Sequence, residues 1–354
     1  MKIAVYVPQT HQNSKDRLEI LIVKTLFFLI RQHPEHTFII VSNQKRQDTN
    51  NFLVNSEIVT IKSPPQNPVL RKLWGNVQIK GILKKTRADV LVMFENNIPL
   101  TTPVPKCVMV SEIKKNRPSN INTAQSLVVL SKSIKKDLIK KHQVSPEKVF
   151  ILSPYPEKFL IPLETEKKEI LKSEYSEGRE FFIYNSIFDR KEDFVSLLKS
   201  FSHFKKRQQS GFKLLLLTQS NSYFEKTLSS YKYRNDVKFI HAENSNEEAI
   251  ITAAAYAVIL PFNTNQDMFA ALIAMQTGVP VIATVDSIVS EIADNAAAYA
   301  ESVTAKDIGD KMISVYTNES YRSELINRGI TIAATYTHER TADILWQSIM
   351  KALE

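Results

Sequence analysis

Residues 257–284, AVILPFNTNQDMFAALIAMQTGVPVIAT, decide the fold of this chain. The stretch begins with the apolar run Ala257–Leu260 and ends with Val279–Ala283, and both runs have the length and composition of buried strands. Between them, Gln266–Thr277 has the length and composition of a helix. Two strands joined by a helix predict a βαβ unit, in which the two strands are parallel.

The same alternation continues on both sides of this unit. Strand-length runs precede it at Phe181–Tyr184, Lys213–Leu217 and Val237–Ile240, and further helices are predicted at Lys191–Gln208, Glu247–Tyr256 and Ser287–Asn295. Residues 178–335 are therefore expected to form a doubly wound parallel sheet with helices on its faces.

The first half of the chain shows the pattern a second time. Its strand-length runs are Ile3–Val7, Thr37–Val41, Glu57–Ile61, Val90–Phe94, Cys107–Val110, Ser126–Leu130 and Val149–Leu152, and its helical segments include Ser14–Gln32, Val69–Thr86 and Lys132–Lys141. The sequence thus predicts an α/β protein with two doubly wound parallel-sheet domains, Rossmann-like, at 1–160 and 178–335. Residues 161–177 are interpreted as a linker with one charged helix, and the helix within 336–354 is expected to cross back to the first domain.

Composition narrows the function without deciding it. The formal net charge of +9 suits nucleic acid, an anionic membrane surface, a phosphorylated small molecule, or solubility alone. One cysteine excludes a disulfide framework, and the first residues predict a strand and not a signal peptide, so we expect a cytoplasmic protein. No apolar run has the roughly 20 residues that a membrane-spanning helix needs.

Common site motifs are missing from the sequence. It contains no G-x-G-x-x-G, no G-x-x-x-x-G-K-[ST] and no G-x-S-x-G, and it has only 7 glycines. We find no H-E-x-x-H and no paired His or Cys spacing, and we expect no metal site. No motif supports binding to nucleic acid.

Three stretches carry a family resemblance. They are Ala274–Thr284 (AMQTGVPVIAT), Ala254–Pro261 (AAYAVILP) and Ser126–Ser133 (SLVVLSKS). Together they resemble the GT-B glycosyltransferases of family four, the glycosyl transferases group 1. The resemblance implies two Rossmann-like domains facing a cleft, an acceptor side in the first and a donor side in the second. It also implies retaining, metal-free hexosyl transfer from a nucleotide sugar to a glycan or glycolipid acceptor in surface polysaccharide assembly.

The donor-side cations are only partly present. By this resemblance Lys191 matches the family's lysine for the donor diphosphate, whereas Ser186 stands at the position of its arginine. Arg190 is a substitute if the loop differs from the family's. The alternative is that Arg190 and Lys191 form an exposed basic pair at the start of a helix.

The donor-side carboxylates are missing. Asn265 occupies the first of the family's two glutamate positions, where it could bind the sugar, and Ile273 occupies the second, where it cannot bind a hydroxyl. Gln266 also falls in this donor segment. Asp267 is interpreted as an exposed charge in the first turn of a helix.

The acceptor side is altered too. Ser111 and Glu112 replace the family's His-Asp pair, which leaves Glu112 as a carboxylate near the reaction centre. His11 lies in the first loop, where it contacts a phosphate or is simply solvated.

A basic amphipathic helix is predicted between Val69 and Thr86. Related enzymes use such a helix to meet anionic lipid, and the alternative is an ordinary surface helix. Two functions remain open: a glycosyltransferase peripheral at the inner face of the membrane, and a catalytically silent relative that serves as a partner subunit or a glycan-binding module.

Overall fold

The structure is a computed structural model that describes residues 1–7, 17–42, 54–65, 67–94, 100–111, 113, 120–156 and 160–354. The chain divides into two compact units: unit 1 comprises residues 1–154 with 338–354, and unit 2 comprises residues 155–337. The predicted class, α/β with two doubly wound parallel sheets, is confirmed.

Unit 1 is built on a seven-stranded parallel sheet. Its elements are β1 (Lys2–Tyr6), α1 (Arg17–Gln32), β2 (Thr37–Ser42), β3 (Ser56–Thr60), α2 (Pro68–Thr86), β4 (Val90–Met93), β5 (Lys106–Val110), β6 (Ser126–Val129), α3 (Lys132–His142), β7 (Val149–Ile151) and α12 (His338–Leu353). The strand order is β3-β2-β1-β4-β5-β6-β7. The connection therefore reverses direction between β1 and β4.

Unit 2 is built on a six-stranded parallel sheet. Its elements are α4 (Thr165–Ser176), β8 (Phe181–Tyr184), α5 (Lys191–Gln208), β9 (Lys213–Leu217), α6 (Ser222–Ser229), β10 (Val237–Ile240), α7 (Ser245–Ala253), β11 (Ala257–Leu260), α8 (Asn265–Gln276), β12 (Val281–Thr284), α9 (Ile288–Ala293), β13 (Ala297–Ala300), α10 (Ala305–Thr317) and α11 (Glu319–Ala333). The strand order is β10-β9-β8-β11-β12-β13, so the reversal lies between β8 and β11.

The segment interpreted as a linker, 161–177, consists mostly of helix α4, which belongs to unit 2. Leu171 of this helix is buried, and Lys172 forms ion pairs with Glu169 and Glu180. Helix α4 is the charged helix expected in this segment, and the side chain of its Lys172 is itself buried.

The last helix packs within unit 1. The Ser126 hydroxyl donates to the carbonyl oxygen of Ser348 at 2.6 Å, and the Thr341 hydroxyl donates to the carbonyl oxygen of Ser153 at 2.8 Å. These bonds give buried polar groups partners between α12 and the sheet and loops of unit 1. None of the described helices has the length and apolarity needed to span a membrane.

Helices α5 and α10 approach each other closely at Gly309. A Cβ atom at this position would lie 2.8 Å from Cδ2 of His203 and 3.0 Å from the backbone oxygen of Ser200. Glycine is therefore required here for close packing and not for its backbone conformation.

We predict that Gly309→Ala lowers the free energy of unfolding by about 1–3 kcal/mol, the usual cost of overpacking. The matched control is Gly81→Ala in helix α2, where an added Cβ meets no atom within 4 Å. Gly81→Ala should raise the free energy of unfolding by up to about 1 kcal/mol, because alanine has a higher helix propensity than glycine. Urea unfolding followed by circular dichroism measures both, and equal effects would contradict the close packing of α5 on α10.

Candidate functional site

The candidate site lies where the strand order of the second sheet reverses. Strands β8 and β11 are neighbours, and the loops that leave their carboxyl ends, 185–190 and 261–264, lie side by side. Open α/β sheets bind ligands at this kind of switch point. The site therefore follows from the topology before any residue is considered.

A buried carboxylate joins the two loops. Asp267, in the first turn of α8, is fully buried, and its Oδ1 accepts hydrogen bonds from Ser186 Oγ at 2.5 Å and from Thr264 Oγ1 at 2.8 Å. Its Oδ2 accepts from the backbone N–H of Thr264 at 2.9 Å. The hydroxyls of Ser186 and Thr264 are themselves 2.9 Å apart. Ser186 thus links the β8 loop to the N-terminus of α8.

The interpretation of Asp267 as an exposed charge is wrong. Together with Thr264 it forms a capping box, in which the carboxylate bonds back to the N-cap backbone. The negative charge also lies at the positive end of the helix dipole. The N-terminus of α8 therefore already carries a negative charge that the chain itself supplies.

The two cations of the β8 loop also have partners within unit 2. Arg190 caps α5, and its Nη2 and Nε lie 2.6 and 3.3 Å from the two carboxylate oxygens of Asp193. Lys191 Nζ lies 4.6 Å from the ring centroid of Tyr223, over the aromatic face. Both residues lie on the exposed start of α5, as an exposed basic pair would.

Aromatic packing fixes the path of the β8 loop. The ring of Phe188 stacks on Tyr184 with centroids 4.3 Å apart. Burial, followed by the negative charge of Asp267, raises the pKa of the Tyr184 phenol. The hydroxyl consequently stays protonated and donates to the carbonyl oxygen of Ile187. Ser186 is thereby held between two anchored residues.

The other residues predicted for the donor side lie on α8. Asn265 and Gln266 begin the helix and Ile273 follows two turns later, and all three are half-buried. The loop before them is tied to α9, because Asn263 Oδ1 accepts a hydrogen bond from the backbone N–H of Ile288 at 2.7 Å.

The acceptor-side residues belong to unit 1. Ser111 directly follows β5 and is half-buried. His11 and Glu112 lie outside the described residues.

Two features escaped the sequence analysis. The capping box has a readable signature, T-x-x-D at Thr264–Asp267, which was present in the sequence. The statement that no paired histidines occur is also wrong, because His33 and His36 are three residues apart and their side chains converge with that of Glu35.

Comparison with known proteins identifies the second unit. The model of the family described as glycosyl transferases group 1 matches residues 166–331. Among curated proteins no significant match is found.

Solved structures resemble the whole chain at low sequence identity. A glycosyltransferase from Rickettsia africae has a TM-score of 0.74 at 14% identity, covering 100% of this chain and 98% of that one. WaaG, a glycosyltransferase involved in lipopolysaccharide biosynthesis, has a TM-score of 0.74 at 16% identity, with 97% and 99% covered. HepE of Anabaena, solved in complex with UDP and glucose, has a TM-score of 0.73 at 11% identity, with 99% of each chain covered. At these identities the likeness establishes the fold.

We predict that Asp267→Ala destabilises unit 2 by about 1–3 kcal/mol, because it leaves buried hydroxyl and N–H donors without an acceptor. Asp307→Ala in α10 is the matched control: Asp307 also lies three residues after a threonine N-cap and accepts from a serine, Ser302, but it is only half-buried. Asp307→Ala should lower the free energy of unfolding by clearly less than Asp267→Ala does. Guanidinium unfolding of both variants checks this, and losses of equal size would argue against a structural role for the buried carboxylate.

Proposed function

We propose that the chain takes part in the assembly of a surface polysaccharide or glycolipid, because the glycosyl transferases group 1 model matches most of the second unit and the chain has a GT-B fold. In this role it binds nucleotide sugars weakly and does not turn them over. It would act there as a partner subunit or a glycan-binding module. The observation that carries this proposal is the buried carboxylate of Asp267 at the N-terminus of α8.

The charge at this position opposes a donor diphosphate. A helix N-terminus attracts an anion through its free N–H groups and its dipole. Here the carboxylate of Asp267 already satisfies the N-cap N–H of Thr264. A second anion beside it would be repelled and would find fewer free donors.

The positive charges that would offset this repulsion are fewer here than the family resemblance leads one to expect. Ser186, at the position of the family's arginine, donates its hydrogen bond to Asp267. Arg190 is held by Asp193. The losses at Ser186 and Ile273 each remove a contact worth about 1.5–3 kcal/mol. If they add, the donor affinity falls by about two to four decades.

A second candidate, active hexosyl transfer, is favoured by Lys191. Among the described residues its ammonium contacts the face of the half-buried Tyr223 ring, a contact worth about 0.5–1 kcal/mol that a diphosphate could replace. In this mechanism Lys191 and Arg190 bind the diphosphate, Asn265 and Gln266 bind the sugar, and Glu112 lies near the reaction centre. His11 and Ser111 face the acceptor, and no metal takes part.

Titration calorimetry with UDP, GDP and their sugars distinguishes the two candidates. We expect millimolar affinity and no transfer for the natural chain. Asp267→Asn removes the internal anion but keeps the shape of the side chain, and it should tighten diphosphate binding about tenfold or more, a change of about 1.4 kcal/mol. The double change Asn265→Glu with Ile273→Glu should restore binding further, because it returns two carboxylates to the hydroxyls of the donor.

The matched control for the charge change is Asp307→Asn, which should leave nucleotide binding unchanged. Micromolar binding by the natural chain would refute the weak donor binding proposed here, and measurable hydrolysis or transfer would refute the silent relative and establish the second candidate. Unchanged weak binding in Asp267→Asn would show that the carboxylate is not what excludes the donor.

The surface of helix α2 supports a membrane as the place of assembly. Four large apolar side chains on its first half are exposed by between 53% and 69%: Val69, Leu70, Leu73 and Val77. Lys80, Lys84 and Lys85 on its second half are exposed as well. An exposed apolar face that continues into a basic one is typical of a helix lying in an anionic lipid surface. We infer a peripheral position at the inner face of a membrane, with a glycolipid acceptor and no nucleic acid partner.

The lipid contact predicts binding to anionic vesicles at low salt that weakens as salt rises. Removing three lysines by Lys80→Ala, Lys84→Ala and Lys85→Ala should weaken it about a hundredfold, at about 1 kcal/mol for each charge. The control removes the same charge from α3 by Lys132→Ala, Lys136→Ala and Lys140→Ala, where the effect should be smaller. Co-sedimentation measures this, and equal losses in the two triple variants would show that only net charge matters.

A further inference from the structure

A short turn in unit 1 brings three metal-binding side chains together. Residues 33–36, His-Pro-Glu-His, connect α1 to β2. His33 Nδ1 lies 3.4 Å from Glu35 Oε1, and His36 Nε2 lies 3.2 Å from the same oxygen. One ligand atom from each of the three residues lies within 4.8 Å of the other two.

The backbone of this turn is held in place by Asn55. Its side-chain nitrogen lies 3.1 Å from each of three carbonyl oxygens, those of Ile30, His33 and His36. The backbone N–H of His36 also donates to the carbonyl oxygen of His33 at 3.2 Å. Since the backbone is fixed by these bonds, the two imidazoles start from a defined geometry.

Trp346 of α12 orients both rings. Its indole stacks on His33 with centroids 3.7 Å apart and planes inclined by 17°, and on His36 at 5.2 Å and 18°. The two imidazoles are nearly parallel, at 7°. Stacking covers the ring faces and leaves the in-plane lone pairs of the nitrogens available. The remaining nitrogen of His36, Nδ1, lies 3.5 Å from the α-amino group of Met1 and does not compete for the shared position.

The spacing of the ligand atoms suits a tetrahedral ion. Zinc bonds to nitrogen and carboxylate oxygen are about 2.0–2.2 Å long, which places neighbouring ligand atoms about 3.3–3.5 Å apart in a tetrahedron. The two measured separations, 3.4 and 3.2 Å, already agree with this value. Two imidazoles and one carboxylate also form a ligand set that favours zinc and similar transition metals over magnesium or calcium.

A simple ion pair between one imidazole and one carboxylate accounts for only one of the two imidazoles at Glu35. Elsewhere in the chain His203 pairs with Asp310, and there one imidazole meets one carboxylate at 2.7 Å. At the turn, nitrogens from two rings converge on one oxygen. The histidine side chains are only 20% and 16% exposed, whereas Glu35 is 57% exposed and gives solvent access from its side.

We propose that His33, Glu35 and His36 bind a divalent transition metal of the zinc type, with water in the fourth position. The ion fixes the α1–β2 turn beneath Trp346 and so fastens α12 to the first unit. The site consists of unit 1 residues only and is independent of the donor site in unit 2.

Cobalt titration of the full chain, freed of any polyhistidine tag and stripped of metal, tests the site. Trp346 is one of 2 tryptophans, so a Trp74→Phe background makes its fluorescence the reporter. We expect quenching that saturates at one equivalent, with cobalt absorption bands typical of four-coordination. In other proteins, loss of a hydrogen bond that supports a metal ligand lowers the metal affinity roughly 10–100-fold. His36→Gln removes a ligand itself, so it should weaken cobalt binding by more than that. His203→Gln, the matched control, should bind as the parent does.

Loss of a stacked ring could alter the turn itself, so Glu35→Gln is the second variant. It leaves the contacts of Trp346 with both rings in place, and we expect unchanged fluorescence without metal but weakened binding. No saturable binding by the parent would overturn the proposal. Binding that survives both His36→Gln and Glu35→Gln would also overturn it, because the ion would then be held elsewhere on the surface.

Discussion

The hydrogen bonds to Asp267 hold together the edge of the second sheet where a ligand would bind. One carboxylate, buried completely, accepts from Ser186 after β8 and from both the hydroxyl and the N–H of Thr264 after β11. Because these strands flank the reversal of strand order, the bonds connect the two halves of the sheet at its switch point. A buried charge is tolerated only where such partners are present.

The residues around this carboxylate form a consistent set. A serine at position 186 is small and uncharged, and its hydroxyl fits against Asp267 as a donor. Arg190 is engaged by Asp193, whose side chain is only 5% exposed. Ser186 and Arg190 thus bond to carboxylates of their own unit. In the proposed function these bonds compete with a donor diphosphate for the same groups.

The first unit depends on different interactions. Helix α12 follows the whole of unit 2 in the chain, yet it packs on the sheet of unit 1 through Ser126, Ser348 and Thr341. Its Trp346 covers the His33 and His36 rings. The end of the chain is consequently a component of the first core, and the arrangement of the α1–β2 turn relies on it.

The sequence alone determined the fold class, the family resemblance and the positions of the described strands other than β13. Hydrophobic runs of strand length alternating with helices report burial directly, since a parallel sheet covered on both faces needs continuous apolar strands. The stretch at 257–284 showed its βαβ unit for this reason. The resemblance also predicts that Ser186 stands at the position of the family's arginine and Ile273 at that of its second glutamate.

Only the tertiary structure decided what the polar residues do. Asp267 looked like a solvated helix charge because its partner Ser186 is 81 residues away in the chain. Trp346 and His33 are still further apart in sequence and meet only because α12 returns to unit 1. Helical and strand periodicity reflects contacts with the core, whereas a hydrogen bond or a ring stack depends on which loops the sheet topology places together. Side-chain roles of this kind cannot be deduced from local pattern.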